Sequence, residues 1–375
     1  MGERLRAVLP SLLSIALALA LGFLAIALTR DLDTALQAYG QMLAGGIGDW
    51  GAYLEGGPLT LLTRPWGEAG TKAALLTFTG LSVAVAFRVG LFNIGAQGQM
   101  VVGALVAAVV GAQLSLPAFL HLPLALLAAG VAGGLWALLP ALLKLRRGVH
   151  EVISTIMLNW VAVSLVDNWL VVGPLRASAS GELSRSGTDE VLATAELPRL
   201  LGSLSRLNLG LPLALLAAAL VWLWLLRTRV GYEVRAVGQG AEAARTAGIP
   251  VARRVTETMA LAGALAGLAG AVLVLGTELK YPSSLGAPYG FDGIAIALLG
   301  GSHPGGTAAA ALFFGVLRAG GTRMQLLGVH KSFPELIQGL ALLLVAGRLA
   351  WLTLVRRRSA VTGSAVVAST EVPRA

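Results

Sequence analysis

Three polar stretches interrupt an otherwise apolar chain, and their residue types suit binding and positioning better than bond chemistry. The first is Phe87–Gln99, where Asn93 and Gln97 lie four apart among Gly90, Gly95 and Gly98. That spacing puts the two amides on one face if the segment is helical, and the glycines allow a broken or tightly packed helix. The second is His150–Trp160, where Glu151, Thr155 and Asn159 repeat every four residues with Ser154 beside them. They form a polar stripe on an apolar helix. Amides and hydroxyls both donate and accept hydrogen bonds without fixed charge. At membrane depth such groups line a hydrophilic route or zip one helix to another, and the residues alone leave both readings open. The third stretch, Arg227–Val255, is rich in arginine, and within it Ala241–Ala247 reads as a short helix stopped by Gly248 and Pro250. Asp292 stands at the start of another apolar run, where it either faces a route or caps a helix.

Bond-making chemistry finds no support. Cysteine is absent, and His121, His150, His303 and His330 show no ligand spacing. There is no HExxH pair, no paired carboxylates within an apolar run and no GxxxxGK[ST] phosphate loop, so neither a metalloenzyme nor a P-loop ATPase is indicated. The charge of +9 sits in short segments between apolar runs. A nucleic-acid binder would gather it on one face.

The elements that position these residues are membrane helices. The 375 residues are 56% hydrophobic and 13% charged, with mean hydropathy +0.78, whereas soluble domains carry about 25% charged residues. A spanning helix needs about 20 mainly apolar residues, and barrel strands would alternate. The runs are continuous and place spans at 8–28, 71–88, 91–111, 119–143, 151–173, 209–226, 255–276, 289–301, 305–320 and 333–354. The fold expected is all-α: a polytopic bundle of about ten transmembrane helices in one integral domain, 1–375. Arg4 and Arg6 before an apolar run resemble a signal peptide, but the run is long and is read as an uncleaved first helix. The eighth span is short, ends at Gly300 and Gly301, and needs a neighbouring half-helix or re-entrant loop.

Charge sets the expected topology. With the N-terminus in the cytoplasm, 17 of the 28 Lys and Arg residues but only 6 of the 19 acids fall inside, as the positive-inside rule requires. Both termini are then cytoplasmic, 29–70 and 174–208 are external loops, 227–255 is a cytoplasmic loop and 356–375 a cytoplasmic tail.

At the polar stretches the chain resembles a known family. Asn93–Gln99 (NIGAQGQ), Glu151–Trp160 (EVISTIMLNW), Gly231–Gly238 with Ala243–Ile249, and Gly290–Gly301 (GFDGIAIALLGG) are similar to signatures of bacterial ABC importer permeases. The superfamily covers branched-chain amino acid, ribose and nucleoside uptake. The nearest likeness is to the longer nucleoside, or simple-sugar, permease subunit, over about 70–350. The resemblance implies a type II importer-like fold in the bacterial plasma membrane. It implies an ATP-binding partner subunit that uses the ATP, a second permease subunit, and a substrate-binding lipoprotein or periplasmic protein. No cofactor is implied for the chain itself. By motif, Arg235, Ala244, Arg245 and Gly248 fall in the segment that couples to the ATPase, and Asn93, Gln97, Ser154, Thr155, Asn159 and Asp292 become the expected route residues. The family usually has Glu where this chain has Gln97, which removes a charge but keeps hydrogen bonding. The competing readings are a sugar or branched-chain amino acid permease, or an ion-coupled secondary transporter. The latter lacks support from internal repeats, and Asp167 is the one acid well inside an expected span.

Overall fold

The computed structural model describes residues 2–177, 187–285, 288–330, 332–333, 335–344 and 347, with side chains from residue 13 onward. Part of the expected 174–208 loop, the end of the tenth span and the 356–375 tail lie outside the described residues. The described residues fall into two compact units, one drawn from Met1–Ala35 and Ser332–Ala375, the other from Leu36–Lys331.

Regular structure is helical, apart from two isolated β-bridges, Gly187 with Pro282 and Arg199 with Asn208. The order is α1 (Gly2–Thr29), α2 (Leu32–Ile47), α3 (Trp50–Leu54), α4 (Thr60–Arg88), α5 (Ala96–Gln113), α6 (Ala118–Arg147) and α7 (Glu151–Leu165). Then come α8 (Gly210–Arg227), α9 (Arg229–Gln239), α10 (Ala241–Thr246), α11 (Val251–Leu273), α12 (Tyr289–Leu299), α13 (Pro304–Met324) and α14 (Glu335–Leu344). α7 and α11 each end in a π-helical turn, Val166–Leu170 and Val274–Glu278. Among the described residues six helices are long and apolar enough to cross a membrane, with three shorter apolar ones at Leu13–Thr29, Tyr289–Leu299 and Glu335–Leu344.

The 29–70 segment is not an open loop. Asp31 caps α2, its Oδ1 accepting from Thr34 N–H at 2.6 Å. The second half of α2 lies against α13, where a Cβ on Gly46 would come within 2.6 Å of Val316 O. α4 begins eleven residues before the expected span, at Thr60.

α4 is the axis of the larger unit. Every residue from Ala73 to Ala86 is buried, with α8, α11, α12 and α13 packed around it. α11 packs in turn on α5 and α6. Lipid removes the hydrophobic drive between helices, so close backbone approach must supply contact. Gly103 lies on Gly267, and Gly133 on Gly263, so tightly that a Cβ at any of them would strike the neighbouring backbone.

Candidate functional site

The break between α4 and α5 is built from polar side chains. Gly90 turns the chain with φ +81°, a conformation side chains disfavour, and helix does not resume until Ala96. Asn93 therefore lies in a non-helical turn, and the expectation that it shares a helix face with Gln97 is corrected. Its side chain folds into the turn instead. Asn93 Nδ2 donates to Gln99 Oε1 at 2.9 Å and to Ser82 Oγ at 3.2 Å. Asn93 Oδ1 accepts from Gln99 Nε2 at 3.0 Å and from Gly95 N–H at 3.1 Å.

α5 starts without a side-chain cap of its own, although the first turn of a helix leaves N–H groups unpaired. Asn159 on α7 supplies one from outside. Its Oδ1 accepts from Gly98 N–H at 2.8 Å and its Nδ2 donates to Ile94 O at 2.8 Å. Thr155 and Ser154 bond back onto their own helix, to Glu151 O at 2.7 and 3.1 Å. Glu151 pairs with Lys144 at 2.5 Å at the end of α6. Asn93, Gln97, Ser154, Thr155 and Asn159 are all buried, and each is already engaged by the protein.

Gln97 joins this turn to α12, its Oε1 accepting from Gly290 N–H at 2.8 Å. α12 has 11 residues, so it rises about 16 Å, half of a hydrocarbon core of about 30 Å. Its lower end is fixed near the end of α4, where Arg88 Nε donates to Ser302 O at 2.9 Å. Its first turn therefore lies about 16 Å along the bundle from that end. Asp292 does not cap it, because the cap position falls on Pro288. Instead Asp292 pairs with Arg318 of α13 at 2.7 Å, and the two side chains are only 13% and 10% exposed. The Arg318 guanidinium also lies 5.5 Å from the Tyr289 ring centroid, and Lys72 Nζ donates to Arg318 O at 3.1 Å. Phe291, next to Asp292 in the chain, is 42% exposed. Sequence reading passed over Arg318 and Lys72. Both are charges inside apolar runs, and that was the signal available in the sequence.

The candidates in 227–255 sit on a braced pair of helices. Thr228 caps α9, its Oγ1 accepting from Gly231 N–H at 3.0 Å. Glu233 accepts from Arg229 at 3.0 Å and from Arg254 of α11 at 2.6 Å. Arg254 also pairs with Glu257, and Glu257 with Arg253 at 2.7 Å. The hydrogen bond from Arg254 holds the Glu233 carboxyl below its ordinary range, outweighing the burial that would raise it. α10 is a short helix packed on α9 and α11: Arg245 is exposed and bonds Glu242 at 2.8 Å, and Gly248 ends it with φ +81°. Ala244 faces inward, 4% exposed, and Arg235 is half-buried with its Nε directed to Gly231 O at 3.4 Å.

The loop and the break touch. A Cβ at Gly238, near the end of α9, would overlap Arg88 O, and one at Gly90 would lie 3.4 Å from Gly238 Cα. A continuous path thus runs from α9 through the 89–95 turn to Asn159 on α7 and, by Gln97, to α12. Among the described residues no group of three His, Cys, Asp or Glu could hold a metal ion.

Comparison with known proteins identifies the family. Residues 68–346 match the family described as branched-chain amino acid transport system / permease component. The guanosine ABC transporter permease NupP of Bacillus subtilis is 40% identical over 285 residues, covering 75% of this chain and 80% of that protein. The glucose ABC transporter permease TsgB13 of Haloferax volcanii is 36% identical, over 75% of this chain and 76% of its own. The nucleoside ABC transporter permease NupB of Lactococcus lactis is 32% identical, over 76% and 79%. No solved structure matches the chain. The chain is a multi-pass membrane permease and belongs to the ABC transporter permease family described as branched-chain amino acid transport system / permease component.

Proposed function

We propose that this permease carries nucleosides inward, driven by ATP hydrolysed on a partner subunit. The observation that carries the coupling half of the proposal is the contact of α9 with the α4–α5 break, since it ties an exposed loop to the buried turn and to the half-helix. The ATPase would dock on α10 through its exposed residues, Arg245 and Gly248 among them. Arg235 and Ala244 would hold α10 against the bundle. Asn93, Gln97, Ser154, Thr155 and Asn159 would then shape the wall of the route by fixing the turn. Asp292, with Phe291 beside it, would face the passing solute. Nucleosides are neutral and carry many donors and acceptors, which suits amides and an internally neutralised ion pair.

The named activities of NupP and NupB support the substrate class. NupQ of Bacillus subtilis, a second guanosine ABC transporter permease, is 28% identical over 70% of this chain and 83% of its own. Two such permeases in one bacterium support a heterodimer of permease subunits here, served by a substrate-binding lipoprotein or periplasmic protein. Both termini are placed in the cytoplasm of a bacterial plasma membrane on the distribution of arginines.

Likeness to a glucose permease favours a second reading, a simple sugar. Uptake of labelled guanosine and labelled glucose by cells with and without the gene separates the two. Loss of guanosine uptake alone supports the nucleoside reading, and loss of glucose uptake alone overturns it.

A further inference from the structure

α6 and α11 leave an apolar groove on the surface of the larger unit. Its volume is about 420 Å³, and Leu127, Gly130, Val131 and Leu135 of α6 line it with Ala264 and Leu268 of α11. The lining extends from Leu126 to Leu138 along α6, a rise of about 18 Å, close to the depth of one leaflet of a core of about 30 Å. The glycines make the groove, since an added Cβ at Gly130 would meet nothing nearer than 3.6 Å.

One end of the groove is basic. Leu142 continues the apolar surface by one turn of α6 and is 37% exposed. Arg146 follows one turn later, on the helix face of Leu135 at 100° per residue. It is exposed and has no ion-pair partner among the described residues. On α11, Arg253 shares the face of Ala260 and is exposed, with Glu257 beside it at 2.7 Å. The helices run antiparallel, with Gly133 opposite Gly263 and Gly267 opposite Ala129. That register brings Arg146 and Arg253 to within about one turn of each other along the bundle axis. On α6 the Cα–Cβ bonds lean toward the helix N-terminus, which is the groove side of Arg146.

We propose that this groove binds one anionic diacyl phospholipid, an acyl chain lying between α6 and α11 and the phosphate held by Arg146 and Arg253. An apolar channel of leaflet depth ending in two arginines and one carboxylate complements a chain joined to a negative headgroup. A transmembrane helix from a partner would match the apolar length but would leave Arg146 without a counter-charge, Arg253 already having Glu257.

The test uses the full chain, purified in mild detergent and examined by native mass spectrometry. Phosphatidylglycerol and phosphatidylcholine of identical acyl chains are added in parallel. The wild type is expected to retain phosphatidylglycerol and to gain thermal stability from it, with little response to phosphatidylcholine. Gly130→Leu, whose Cβ clears the neighbouring backbone and whose side chain occupies the groove, and Arg146→Gln with Arg253→Gln, which leaves the groove open, should each lose most of the bound lipid. Equal retention of the two lipids, or retention unchanged in both variants, overturns the assignment. So does loss of a second permease rather than lipid when Gly130→Leu is isolated with its assembly.

Discussion

Asn159→Ala should loosen the start of α5 while leaving α7 in place. The side chain makes two hydrogen bonds of 2.8 Å and is 3% exposed, so water cannot readily replace it. Removal strands Gly98 N–H and Ile94 O in a buried turn, and each lost partner costs about 1–3 kcal/mol. The two losses are coupled through one turn, so about 3 kcal/mol in all is expected. If about 2 kcal/mol of that appears as easier local opening, the Gly98 amide exchanges roughly 30-fold faster. Hydrogen exchange read by mass spectrometry on peptides spanning 91–100 measures this directly. Asn159→Asp provides the control within the same site. It keeps an acceptor for Gly98 but cannot donate to Ile94 O, so Gly98 should stay protected although the thermal midpoint falls. Unchanged exchange at Gly98 in Asn159→Ala would refute the reasoning, because the turn would then hold without its cap.

Three further outcomes are expected. Asp292→Asn removes the carboxylate from the nearly buried Arg318 and should destabilise the protein by about 3 kcal/mol, whereas Asp292→Leu with Arg318→Met should restore the thermal midpoint. Loss of uptake in that restored double variant would place the pair in the route, and full uptake would remove it. Gly263→Val drives a side chain into the Gly133 backbone and should cost about 3 kcal/mol, the upper end for overpacking, seen as a lower thermal midpoint in detergent. The brace of α9 on α11 should also depend on pH. The Glu233 carboxyl is held below its ordinary 4.5, so its contribution is fully present above that value and is lost as pH falls through the lowered native value. Protection in 229–239, taken relative to the intrinsic exchange rate at each pH, should fall on acidification in the wild type and be low already at neutral pH in Glu233→Gln.

The sequence disclosed most where one residue type decides the backbone. Gly248 ends α10, and Gly300 with Gly301 stops α12 at half length, as expected from the residues alone. Apolar length likewise revealed the long spans and so the fold class. It failed at α2, where Gly40, Gly45 and Gly46 argue against helix, and where close packing on α13 is the compensation that no local pattern displays. The polar stretches were visible as clusters of amides, but their geometry was not. A positive φ at Gly90 delays α5 by five residues and turns Asn93 from a helix face into a latch on Gln99. The path from α9 to α12 depends on contacts between residues up to 193 apart in sequence, such as Gln97 with Gly290. Spacing along the chain carries no signal for such pairs.

The most direct test of the account is guanosine uptake by cells carrying the complete importer, with the two energy sources removed separately. Uptake should stop when ATP is depleted with the proton gradient intact, and should persist when the gradient is collapsed with ATP maintained. The reverse pattern would contradict an ATP-driven importer and would leave the contact between α9 and the α4–α5 break without a coupling role.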